Sequence, residues 1–354
     1  MSLLPVTLLT GFLGSGKTTL LNRLLRDPAL KNTLVLINEF GEIGLDHHLI
    51  EKIEEEAGQQ RVLMASGCLC CTIQSDLSKT LRQMAIDRVR GTVPEFERVV
   101  IETTGLADPA PILHTLMQDP LVAAHYRLDG VVTTVDAVVG DQTLTAQPEA
   151  LKQAAVADRI VLTKQDIADP AAVTALKARL HALNPAAPIL PADVPAVALL
   201  ESGLWNPETK SLDVRRWLKA EAYEDHGHDH HHDHDHGHDH GHHHHHHDIN
   251  RHDDRIAAHC LTLDAPVPWE AVTLWLQSLT AYRGEDILRL KAILNVRGKE
   301  TPLVLHGVQH LLHPPVPLPA WPDDDRRSRI VLITRDIGRE LLEKSLKQLT
   351  EVVG

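Results

Sequence analysis

Gly11-Phe12-Leu13-Gly14-Ser15-Gly16-Lys17-Thr18 spells GxxxxGK[ST] and follows an apolar run, Val6-Thr7-Leu8-Leu9-Thr10. The run reads as a buried strand, so the octapeptide sits where a phosphate-binding loop belongs, between a strand and a helix. Gly11, Gly14 and Gly16 let the backbone curl until successive N–H groups, that of Ser15 among them, point inward at phosphate oxygens. The helix that follows adds the positive end of its dipole. Lys17 is placed to reach the β- and γ-phosphates, and the Thr18 hydroxyl to ligate Mg²⁺. Thr19 continues the same anion-binding turn.

At 354 residues the chain exceeds one ordinary core, and a hydrophobic content of 43% suffices to bury two. Two domains are therefore expected. No apolar run reaches the roughly eighteen residues of a membrane span. Residues 3–9 lead straight into the phosphate loop without a basic flank or cleavage site, which predicts a cytoplasmic protein with no membrane anchor. A net charge of −13 with no basic stripe argues against nucleic acid as a partner. Of the four cysteines, three fall within residues 68–71. In a reducing compartment such clustering points to metal or redox chemistry rather than to disulfides.

Across residues 1–222, strand-like runs at 33–37, 98–101, 130–135, 159–163 and 188–190 alternate with helical stretches. That alternation predicts an α/β domain of the P-loop type, with a mostly parallel sheet and helices on both faces. Ligands of such sheets sit at the carboxyl ends of the strands, where the polar motifs fall. Composition then changes abruptly. Residues 223–254 include fifteen histidines between 226 and 247, interleaved with Asp and Gly, and have almost nothing to bury, so a disordered linker is expected. Residues 255–354 read as a smaller α+β domain, with strands at 256–263, 287–296, 302–306 and 329–334 and helices at 269–279 and 338–349. Trp269 and Trp275 belong to a helix face packed on that sheet, Cys260 reads as a core thiol, and His306, His310 and His313 as packing or surface residues.

Two further motifs end strands of the first domain. Glu102-Thr103-Thr104-Gly105 supplies an acid suited to Mg²⁺ or to orienting water, then a glycine whose N–H can meet the γ-phosphate. Thr163-Lys164-Gln165-Asp166 supplies a carboxylate able to accept from guanine N1–H and its N2 amino group, with Lys164 along the base. Adenine, with an acceptor at N1, would be repelled. The expected nucleotide is GTP. A surface turn is the competing reading of this short motif.

Gly67-Cys68-Leu69-Cys70-Cys71 packs three thiols into four residues. Thiolates at this spacing can converge on one borderline or soft cation, and Zn²⁺ fits well. Buried structural thiols and a redox pair are the alternatives, the second weakened because vicinal Cys70 and Cys71 would form a strained disulfide. Glu39, Glu42 and Asp46 follow the second strand, where a switch loop is expected; they suit Mg²⁺, attacking water or a transferable metal, or merely solvate a loop.

In this order, GFLGSGKTTLLN, NEFGEIGLD, GCLCC, ETTGLADP and TKQD, followed by a separate C-terminal domain, the chain resembles the CobW-like metal-chaperone GTPases. The resemblance spans essentially the whole chain, and GCLCC is its specific part. It implies a Mg²⁺- and GTP-dependent protein that binds Zn²⁺, or in some branches Co²⁺ or another transition metal, and delivers it to a metal-requiring client. By motif match it makes Lys17, Glu102 and Glu39 the catalytic candidates and Cys68, Cys70, Cys71 and Glu42 the transition-metal candidates. Thr18 is assigned to Mg²⁺, and Thr163, Lys164 and Asp166 to the base. The C-terminal domain becomes a client-facing or dimerising surface. Ile37 departs from members that carry an acid there. A regulatory GTPase with structural cysteines and a cobalt-branch chaperone for cofactor biosynthesis are the competing functions. For the histidine tract, metal storage competes with a passive linker.

Overall fold

The computed structural model describes residues 3–38, 62–66, 73–200, 255–322 and 324–353. β1 (Leu4–Gly11), the strand before the phosphate loop, lies at the centre of a seven-stranded sheet. Around it stand β2 (Thr33–Asn38), β3 (Val62–Ser66), β4 (Arg98–Glu102), β5 (Tyr126–Asp136), β6 (Arg159–Thr163) and β7 (Ile189–Pro191). Their order is β3-β2-β4-β1-β5-β6-β7, and every pairing is parallel. Parallel strands need helical cover on both faces, and the side-chain period of two distributes it. Val6, Leu8, Val99 and Ile101 pack with Leu77, Leu81 and Met84 of α2 (Ile73–Arg90) and Leu113 and Leu116 of α3 (Ala110–Gln118). Their neighbours Leu9 and Val100 pack on the other face with Leu20, Leu21 and Leu24 of α1 (Lys17–Leu24).

In this sheet β5 and β3 differ most from the sequence reading. β5 begins four residues before the expected start at 130, because the charges that interrupt its pattern are neutralised. Buried Asp129 accepts from Thr7 Oγ1 at 3.0 Å and from Arg98 Nη1 at 2.7 Å. β3 is an additional strand, a run of only four apolar residues and a serine that gains its place by pairing with β2.

After α4 (Pro120–Ala123), α5 (Gly140–Ala146), α6 (Pro148–Ala155) and α7 (Pro170–Leu183), the second sheet is antiparallel. It comprises β8 (Ile256–Leu263), β9 (Ile287–Leu294), β10 (Leu303–Val308), β11 (Leu311–Leu312), β12 (Val316–Pro317) and β13 (Ser328–Arg335). α8 (Trp269–Arg283) and α9 (Arg339–Val353) cover one face, with Trp275 and Leu346 against Leu290, Ala292 and Leu332. Trp275 satisfies its indole N–H on Ser345 Oγ at 2.9 Å. Cys260 is buried, and burial raises its thiol pKa.

The opposite face of this sheet meets the first. Leu288 and Ile333 enter a cluster with Ala154, Leu176 and Leu180. Arg289 and Lys291, alternating with apolar residues on β9, both reach Asp158 Oδ1, at 2.7 and 2.6 Å, while Asp158 Oδ2 accepts from the Val131 N–H. Burial pushes the Asp158 carboxyl pKa up, but the two cations and the hydrogen bonds outweigh it and hold the group well below the carboxylate range. His306 on β10 is buried beside the same cations, and burial first, then those charges, push its pKa well below the usual histidine value. His310 is exposed and His313 half-buried.

Candidate functional site

The turn between β1 and α1 relies on glycine where its backbone takes positive φ. Gly11 has φ +141°, and a Cβ there would lie 2.3 Å from Thr134 Oγ1 and 2.5 Å from the Thr134 carbonyl oxygen. Gly16, the cap of α1, has φ +87°, in the region L residues rarely adopt. Between them Ser15 is buried, its Oγ 2.6 Å from Thr134 Oγ1 on β5. Lys17 is also buried, and its Nζ folds back to the Phe12 carbonyl oxygen at 3.1 Å, arching over the loop. Thr18 Oγ1 donates to Glu102 Oε1 at 2.7 Å, which brings the first turn of α1 to the carboxyl end of β4. Thr19 is exposed on the same turn.

The segment after β4 closes onto the loop. Thr103 N–H donates to the Leu9 carbonyl at 3.0 Å and Thr103 Oγ1 to Thr10 Oγ1 at 2.8 Å. A Cβ on Gly105 would stand 2.5 Å from Leu13 N, so the two backbones touch. On the other flank, Thr163 Oγ1 lies 2.8 Å from the Ser15 carbonyl oxygen and ties β6 to the loop. Lys164 follows with φ +55°, and its Nζ donates to Asp136 Oδ2 at 2.6 Å. Asp166 is exposed in the next turn. The structure thus gathers Gly11, Gly14, Ser15, Gly16, Lys17, Thr18, Glu102, Gly105 and Thr163 around one loop and leaves Asp166 exposed in the turn after β6.

Asp136 and Thr134 were not among the candidates read from the sequence. Asp136 ends an apolar strand as Glu102 does, so the same signal was there to read. Its Oδ1 accepts from the Val138 N–H at 2.8 Å while Oδ2 holds Lys164.

Strand register aligns the ends of β4, β2 and β3. Glu102 pairs with Ile37, and Asn38, the last residue of β2, pairs with Ser66, the last of β3. Glu39, Glu42, Cys68, Cys70, Cys71 and the histidine tract lie outside the described residues. Among the described residues no group of three His, Cys, Asp or Glu side chains is arranged to hold a metal ion, and no helix is long and apolar enough to cross a membrane.

A parallel sheet centred on the strand that leads into a phosphate loop, with Thr-Lys-x-Asp at the end of β6 two strands away, defines a P-loop GTPase. The chain belongs to the CobW/HypB/UreG family: the model of that family's nucleotide-binding domain matches residues 5–191, and that of the cobalamin synthesis protein cobW C-terminal domain matches 256–350. It is 31% identical over 350 residues to the zinc chaperone YjiA of Escherichia coli (strain K12), covering 98% of each chain. It is 30% identical over 371 residues to the zinc chaperone CobW of Pseudomonas aeruginosa, covering 97% of this chain and 91% of that one. Its fold is similar to the crystal structure of Zn(II)-bound YjiA GTPase from E. coli, with a TM-score of 0.69 and 26% identity over 99% of both chains.

Proposed function

We propose that this protein is a Mg²⁺-dependent, cytoplasmic GTPase that holds zinc at Cys68, Cys70 and Cys71 and passes it to a client protein. Hydrolysis opens the metal site. The observation that carries this reading is the register that brings β4, β2 and β3 to a common edge. Neighbouring parallel strands are about 4.8 Å apart, so the end of β3 stands about 10 Å across the sheet from the end of β4. Cys68 follows Ser66 by two residues, a reach of at most about 7 Å. Relatives named zinc chaperones support the choice of zinc.

The residues around the loop fit a Mg²⁺–nucleotide pair. Thr18 Oγ1 and the Glu102 carboxylate are hard oxygen donors already in contact, the set Mg²⁺ prefers. When bound, Mg²⁺ neutralises charge between the β- and γ-phosphates. Lys17 exchanges the Phe12 carbonyl for phosphate oxygens, and the N–H groups of residues 14–18 surround the anion. Gly105 offers its N–H to the γ-phosphate. Glu102 and Glu39 orient the attacking water, and Asp166 with Lys164 reads guanine. Because the cysteines follow β3 in the chain and β3 ends at the same sheet edge as Glu102, nucleotide and metal are coupled in this reading, and a metal bound more tightly in the GTP state favours that state by linkage.

The test is zinc affinity, measured by competition with a chromophoric chelator, in the presence of Mg²⁺ with either GDP or a non-hydrolysable GTP analogue. Tighter zinc binding in the analogue form, abolished in Cys70→Ala, is the expected result. Equal affinities in the two forms overturn the coupling. Zinc affinity unchanged in Cys70→Ala would favour structural cysteines in a regulatory GTPase.

A further inference from the structure

α6 lies against the segment that follows β4, and two of its side chains hold that segment. Gln153 has no exposed surface, and its Nε2 donates to the carbonyl oxygens of Gly105 and Ala107 at 3.2 and 3.0 Å. Beside it, Lys152 Nζ donates to Asp108 Oδ2 at 2.9 Å. Gln153 is anchored in turn, because its own carbonyl accepts from Thr133 Oγ1 on β5 at 2.8 Å. Its buried Oε1 has no partner among the described residues, so the two loop carbonyls alone orient the amide.

Position 105 must be glycine, since the Leu13 backbone leaves no room for a Cβ. Glycine also brings the greatest backbone freedom of any residue. A peptide free to rotate there would present its N–H to a phosphate only part of the time, and binding would include the entropy of fixing it. One carboxamide donating to both carbonyls that flank Leu106 fixes the peptide groups that follow Gly105 and Ala107, and through the Gly105 ψ angle it restricts the Thr104–Gly105 peptide that carries the N–H. The ion pair of Lys152 with Asp108 secures the far end of the segment.

We infer that Gln153, assisted by Lys152, is a positioning residue for the γ-phosphate. It holds residues 105–108 in the orientation that a triphosphate meets, and thereby sets the discrimination of GTP over GDP. The inference rests on the nucleotide reading above, in which the Gly105 N–H touches the γ-phosphate. GDP lacks that phosphate, so a loosened segment penalises GTP selectively.

The experiment is titration calorimetry of the full-length protein with Mg²⁺ and either GDP or a non-hydrolysable GTP analogue, comparing wild type, Gln153→Met and Lys152→Met. Methionine keeps the length and apolar stem of Gln153 and removes both donors. The loss of two modest hydrogen bonds lowers affinity for the analogue about tenfold, with GDP affinity held within about twofold. Lys152→Met, at a partly exposed position that does not threaten folding, lowers analogue affinity about threefold with GDP unchanged. An unchanged ratio of the two affinities in both variants overturns the inference while leaving the nucleotide reading intact, and so does equal weakening of both ligands. If Gln153→Met fails to fold, the ratio in Lys152→Met decides alone. Wild-type protein that binds neither nucleotide overturns both readings.

Discussion

Thr18 Oγ1 donates a 2.7 Å hydrogen bond to Glu102 Oε1, across a separation of 84 residues in the chain. The contact joins the helix that cradles phosphate to the strand whose end carries the buried acid. A hydroxyl held by a carboxylate is ready to turn its lone pairs toward a cation, and the carboxylate is fixed beside it. Glu102→Gln keeps the shape and removes the charge. Its GTP turnover, followed by phosphate release, is expected to fall about a hundredfold, while GDP affinity changes little.

Steric room at Gly11 is the second determinant. Gly11→Ala forces a methyl group to within 2.3 Å of Thr134 Oγ1 at a φ of +141° that alanine rarely adopts. The loop must shift, at a cost of about 1–3 kcal/mol. A lowered unfolding midpoint in urea, together with lost GDP binding, is the expected outcome.

Asp136 fixes Lys164, which stands in the left-handed region with its Nζ 2.6 Å from the carboxylate. Asp136→Asn weakens this charge-assisted bond, worth about 1.5–3 kcal/mol between charged partners. If Lys164 lies along the base, GDP and GTP affinities fall together, about fivefold each, and the ratio between them stays constant. Fluorescent-nucleotide titration separates this pattern from the selective GTP loss expected of Gln153→Met.

The contact between the two sheets turns on Asp158. Arg289→Met or Lys291→Met leaves buried charge incompletely paired, and such losses run to about 3–5 kcal/mol. Because the folded pKa of Asp158 is depressed, its stabilisation is fully present above the unfolded value of about 3.9 and is lost as pH falls through the lower folded value. Urea unfolding at stepwise lower pH is expected to show this acid loss in the wild type. Asp158→Asn starts less stable at neutral pH and loses less on acidification.

Much of the site was legible because its chemistry is local. A phosphate loop needs glycines at set spacings and a lysine and a threonine at the helix start, so Gly11 to Thr18 can be read without neighbours. Glu102 and Thr163 were legible as polar ends of apolar runs. Asp136 carries the same signature, but its role depends on reaching Lys164 across the β5–β6 pair. Gln153 has no signature at all. It lies within a helical stretch, and only the packing of α6 against residues 105–107 reveals what it holds.

By itself the order of residues determined most of the long strands and helices, the place of the phosphate-loop motif and that two sheets would form, since periodicity and backbone freedom are properties of neighbours in the chain. Tertiary structure alone decided which strands adjoin, that β3 joins the nucleotide-binding sheet, and that Arg289 and Lys291 meet Asp158 rather than water. The physical reason is that a buried charge or an unpaired strand edge is satisfied only by a partner remote in sequence, and the free energy that selects that partner comes from removing both from water together.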